Sequence, residues 1–108
     1  MTFIVRELPR AVGDKECIFG WLYERSKLGA FAWLDAYDSL IERLKRDPES
    51  FGNAIESGDC KLSIKEALFK TRRGKVYRVV FYIDEDQNIF ILRVRGPGQL
   101  PATSEELL

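Results

Sequence analysis

Between Leu68 and Gly98 the chain reads LFKTRRGKVYRVVFYIDEDQNIFILRVRGPG, and few arrangements other than a paired β-sheet can use two such regularly alternating runs. From Val76 to Asp84 one parity carries Tyr77, Val79, Phe81 and Ile83, and the other carries Val76, Arg78, Val80 and Tyr82. Neither set is plainly made for water, so both faces of this strand call for cover. In the following run Phe90, Leu92 and Val94 form an apolar set, while Ile89, Ile91, Arg93 and Arg95 form a mixed one. A period of two places Arg93 and Arg95 on one face. Asp84-Glu85-Asp86-Gln87-Asn88 separates the runs and has the composition of a hairpin loop, because such side chains bond their own backbone. Antiparallel pairing follows.

The preceding segment, Ile64 to Thr71, is also extended, with Ala67 and Phe69 opposing Ile64, Glu66, Leu68 and Lys70, and Arg72-Arg73-Gly74-Lys75 turns the chain into the next strand. At the N-terminus Phe3, Ile4 and Val5 make a short strand bounded by Pro9. Proline is tolerated in a first helical turn, which predicts a helix from about Pro9 to about Ser26 with Ala11, Ile18, Phe19 and Leu22 as its apolar stripe. Gly13 and Gly20 weaken that helix by roughly 1 kcal/mol each relative to alanine, so it needs tertiary support. Trp21 and Tyr23 are expected to pack at the margin of the stripe. A second helix is marked by Ala30, Trp33, Leu34, Tyr37, Leu40, Ile41 and Leu44 at helical spacing, with Asp35, Asp38, Glu42, Arg43 and Lys45 mostly opposite. Gly29 is the expected break between the helices, and Pro48 stops the second. Phe31 falls outside the stripe. Asp47 to Asp59 reads as a loop with Phe51 and Ile55 as its apolar anchors, and Gly96-Pro97-Gly98 ends the last strand. The expected organisation is one domain over residues 1–98, with 99–108 a C-terminal tail or short terminal turn.

With 17 basic and 17 acidic residues, attraction to a polyanion must come from local clustering and not from bulk charge. No membrane-length apolar run and no secretory signal pattern is present, so a cytoplasmic protein is expected. Cys17 and Cys60 lack metal-ligand spacing and there is no histidine, so neither a metal nor a cofactor is implied. Cys17 reads as a small buried apolar residue and Cys60 as a loop residue. Without histidine, acid–base chemistry would need Tyr, Lys, Asp or Glu with shifted pKa values.

The order strand, helix, helix, three strands resembles the RelE/ParE superfamily of toxins from bacterial type II toxin–antitoxin modules. The resemblance is carried by Pro9-Arg10-Ala11, by Trp33-Leu34-Asp35-Ala36 with Ile41-Glu42-Arg43-Leu44, by Phe69-Lys70-Thr71-Arg72-Arg73-Gly74 before Tyr77-Arg78-Val79, and by Ile91-Leu92-Arg93-Val94-Arg95. It implies an α+β fold with two antiparallel helices on one face of a mostly antiparallel four-stranded sheet. It also implies a growth inhibitor of the kind that serves plasmid stabilisation, silenced by a cognate antitoxin. RelE-like members cut mRNA on the ribosome and ParE-like members poison DNA gyrase. Of the basic nuclease positions only Arg78 carries over. Glu66 and Leu68 stand where lysines are expected, and Gly96-Pro97-Gly98 follows the last strand with no tyrosine, which favours the ParE-like branch. A RelE-like endoribonuclease and an inactive toxin-derived binding module are the alternatives.

Cleavage of RNA by its 2′-hydroxyl needs a base, an acid and a cationic clamp on the phosphate. The catalytic candidates are Arg78, Tyr77 and Arg93, with Tyr82 a further aromatic that could stack or move a proton. Arg73, Lys75, Arg78, Arg93 and Arg95 are the expected target-binding cations. For Arg78 the competing expectation is an internal salt bridge to Glu66 or Asp84, since a desolvated lone charge is costly. Val80, Tyr82, Ile89 and Ile91 are expected to form an apolar surface for the antitoxin.

Overall fold

The computed structural model describes residues 2–59 and 63–97. A short strand β1 (Ile4–Glu7) leads into helices α1 (Pro9–Arg25) and α2 (Lys27–Arg46), and three strands follow, β2 (Lys65–Phe69), β3 (Tyr77–Ile83) and β4 (Asn88–Arg95). The sheet order is β1-β4-β3-β2. β1 runs parallel to β4, and the other pairings are antiparallel, so a single parallel pair brings the N-terminus beside the last strand. The expected α+β, β-α-α-β-β-β architecture is present. Both helices pack on one sheet face, where Trp33, Tyr37, Leu40 and Leu44 of α2 and Ala11 of α1 meet Ala67, Val79, Phe81 and Val94.

The helix break lies at Ser26 and not at Gly29. Ser26 is extended (φ −159°), closes α1 through its backbone N–H to Leu22 O, and opens α2 by accepting the Gly29 N–H on Oγ at 3.0 Å. A serine N-cap supplies what glycine cannot, an acceptor for an orphan helical donor. Gly29 therefore sits inside the first turn of α2.

Two further expectations fail for physical reasons. Asp47–Asp59 is not a plain loop: Pro48–Ser50 and Ile55–Asp59 form 3₁₀ turns, and Asn53 bridges to Lys65. Of its expected anchors, Phe51 packs edge-on against Phe81, but Ile55 is 68% exposed, while Ala54 is buried in a small second core with Ile64, Val80 and Leu92. This segment thus covers part of the sheet face that the helices leave open. The β3–β4 register slips between Val80 and Phe81, because Phe81 pairs with Ile91 and Val80 with Arg93, leaving Leu92 of β4 as the extra residue of a bulge. A bulge reverses the parity of everything beyond it. Ile89 and Ile91 consequently face the helices and are fully buried, and Leu92 joins the opposite face.

Cys17 is exposed, contrary to its expected burial, whereas Cys60 and the 99–108 tail lie outside the described residues. No helix among the described residues is long and apolar enough to cross a membrane.

Candidate functional site

On the face away from the helices, cross-strand pairing sets Arg78 directly opposite Arg95. Like charges in that position repel unless an anion lies between or beside them. Glu56, from the second 3₁₀ turn, supplies it. Its carboxylate is fully buried and receives both terminal nitrogens of Arg78, with Nη1 to Oε1 at 2.8 Å, and Glu66 from β2 adds a longer contact at 3.4 Å. The hydrogen bond with Glu56 holds the Arg78 guanidinium above its ordinary pKa, although burial opposes it. Arg78 is therefore an internal ion pair. Its partners are Glu56 and Glu66 and not Asp84, which instead closes the β3–β4 loop by accepting the N–H groups of Asp86 and Asn88.

Arg93 reaches round the β4 edge to α1, donating from Nε to Asp14 Oδ2 at 2.7 Å and from Nη2 to Oδ1 at 2.8 Å. Asp14 also accepts the Val94 N–H at 2.9 Å. β1 stops pairing at Ile91, so this carboxylate satisfies a backbone donor that no strand reaches. Arg95 is buried, at 7% exposure, beside the Arg78 cluster.

The three catalytic candidates do not converge. Tyr77 lies on the helix face, edge-on to Trp33 at 5.6 Å and tilted against Phe69, and burial raises its phenol pKa. Arg78 points to the other face and Arg93 lies at the edge. Tyr82 stacks on Phe90 at 5.0 Å, and of the expected antitoxin surface Val80 is fully buried, so only Tyr82 remains partly accessible there.

Arg73 and Lys75 differ from the paired arginines. Both are exposed in the β2–β3 turn and have no ion-pair partner among the described residues. They rim a cleft of about 780 Å³ between the α1–α2 junction, this turn and the end of β4, walled by Ile18, Trp21, Trp33 and Tyr77. Sequence reasoning missed Glu56, Asp14 and this cleft, because a carboxylate in a turn or on a helix carries no mark of the strand it will reach. Among the described residues no group of acidic, cysteine or histidine side chains is placed to hold a metal.

No protein-family model and no curated protein matches the chain. Among solved structures, the toxin–antitoxin complex RelBE2 from Mycobacterium tuberculosis is similar, with a TM-score of 0.48 and 24% identity over 88% of this chain and 98% of that one.

Proposed function

We propose that the chain is the toxin of a type II toxin–antitoxin module, a ParE-like growth inhibitor that acts by binding a protein target and is silenced by a cognate antitoxin. The RelE/ParE-like order of elements and the motifs between Pro9 and Arg95 support the general reading. The observation that carries binding over cutting is the fate of the arginines. Arg78 and Arg93 are held in forked pairs by Glu56 and Asp14, and Tyr77 lies on the other face, so a base, an acid and a phosphate clamp do not meet at one point. The cations left for a partner are those of the β2–β3 turn, Arg73 and Lys75.

Expression of the full chain in a bacterial host, alone and with any short protein that its operon encodes beside it, tests the proposal. Growth arrest with DNA breaks and filamentous cells, relieved by the neighbour, is the expected result. Rapid codon-biased mRNA cleavage would overturn it in favour of an endoribonuclease. Normal growth with stable, soluble protein would overturn it in favour of an inactive binding module.

A further inference from the structure

The cleft at the α1–α2 junction combines three properties that no other part of the described surface brings together. Its walls are apolar, from Ile18, Trp21 and Trp33. Its rim carries Arg73 and Lys75, exposed and without ion-pair partners among the described residues. Trp33, only 2% exposed, contributes a buried indole N–H that has no acceptor among the described residues. A buried donor left unpaired is uncommon in folded proteins, and one at a cleft wall is explained most simply by an acceptor that arrives with a ligand.

We infer that this cleft binds a short acidic, aliphatic peptide segment of a partner protein, whose carboxylates meet Arg73 and Lys75, whose aliphatic side chains enter between Ile18 and Trp21, and whose carbonyl oxygen accepts the Trp33 N–H. Charge complementarity selects the acid. The alternative polyanion, single-stranded nucleic acid, wants aromatic faces for its bases. Here one face of Trp21 is covered by the Arg25 guanidinium at 3.6 Å, and Trp33 is packed against Tyr37, Phe69 and Tyr77. Ile18 beside them suits an aliphatic side chain. The balanced total of 17 basic and 17 acidic residues also gives no long-range field to draw in a nucleic acid. The inference stands on the cleft alone and does not require the chain to be a toxin.

The chain's two tryptophans both line the cleft, so intrinsic emission reports occupancy directly. The full chain is titrated with a capped Asp-Leu-Glu-Leu-Asp peptide, a Lys-Leu-Lys-Leu-Lys peptide and an oligouridine. Saturable emission change with the acidic peptide alone, weakening with salt, is expected. Replacing both exposed cations, Arg73→Ala with Lys75→Ala, is expected to weaken binding about tenfold. Trp33→Phe keeps an aromatic ring and removes the donor, and should weaken binding about fivefold; because it also empties part of a buried site it lowers the melting temperature of the free protein, and affinity is compared well below that temperature. Equal binding of the basic peptide, tighter binding of oligouridine, no binding of the acidic peptide, or unchanged affinity in the double variant would each overturn the inference. The titration and the growth assay fail independently.

Discussion

Glu56 is the residue on which the open sheet face turns. A fully buried carboxylate is tolerated only with a partner of opposite charge, and Arg78 is in turn the cation that Arg95 would otherwise repel. Removing either member takes the forked partner from the other, so Glu56→Ala and Arg78→Ala are each expected to lower unfolding free energy by about 3 kcal/mol. Glu66 softens the loss of Glu56 for Arg78. The apolar double replacement Glu56→Leu with Arg78→Met should cost clearly less than the two single changes added together. Urea unfolding of the four proteins measures this, and strict additivity would mean that the pair is not coupled. The same set bears on function: if Arg78 serves the fold and not a target, a soluble double variant keeps whatever growth inhibition the parent shows. At Asp14 the expectation is similar, since Asp14→Asn loses the charge that Arg93 pairs with but keeps an acceptor for the Val94 N–H.

The helices and strands divide sharply in how much of them can be read from the sequence. α2 is written in its own spacing, with Trp33, Tyr37, Leu40 and Leu44 buried as their periodicity requires. The faces of β3 are equally legible, since nothing interrupts its alternation. β4 is not, because a bulge is set by pairing with the neighbouring strand, and the same residues read without that neighbour put Val94 with Phe90 and Leu92 and group Ile89 and Ile91 with Arg93 and Arg95. The arginines could be seen but not their partners: Glu56 and Asp14 come from 22 and 79 residues away. Two local features remain testable. Ser26 serves both helices, so Ser26→Ala should cost about 1 kcal/mol, with the loss seen first as faster amide exchange in the opening turn of α2. In the β3–β4 loop Gln87 adopts φ 64°, a conformation that a side chain with a Cβ disfavours. Gln87→Gly should raise stability by roughly 0.5–1 kcal/mol, and a drop in the urea midpoint would show that the glutamine side chain offsets the strain.

At the scale of the whole molecule the absence of histidine shapes the response to pH. No histidine titrates near neutrality, so stability is expected to be flat from about pH 5.5 to 8.5, with a limb on either side. The acid limb comes from Glu7 and Asp84. Burial pushes the Glu7 carboxyl up, but hydrogen bonds from Lys15 at 2.8 Å and from the Tyr37 hydroxyl outweigh it and hold the group below its ordinary value of 4.5. Backbone and side-chain hydrogen bonds from Asn88 lead those that hold Asp84 below its ordinary 3.8. A carboxyl depressed by folding contributes stability that is complete above its unfolded value and is lost as pH falls through the folded one. Unfolding free energy should therefore begin to decline below about pH 4.5. The alkaline limb has the opposite origin: burial first, and then the bond to Glu7, raises the Tyr37 phenol above its ordinary 10.0, so the folded state resists ionisation and loses ground once the unfolded tyrosine ionises. Glu7 thus ties β1, α1 and α2 together and appears in both limbs. Glu7→Gln should cost about 1 kcal/mol at pH 7, flatten the acid limb and weaken the alkaline one, because the same carboxylate is removed from both balances. Urea midpoints at pH 3, 7 and 10.5 for parent and variant measure all three effects, and an acid limb unchanged in the variant would place its origin elsewhere.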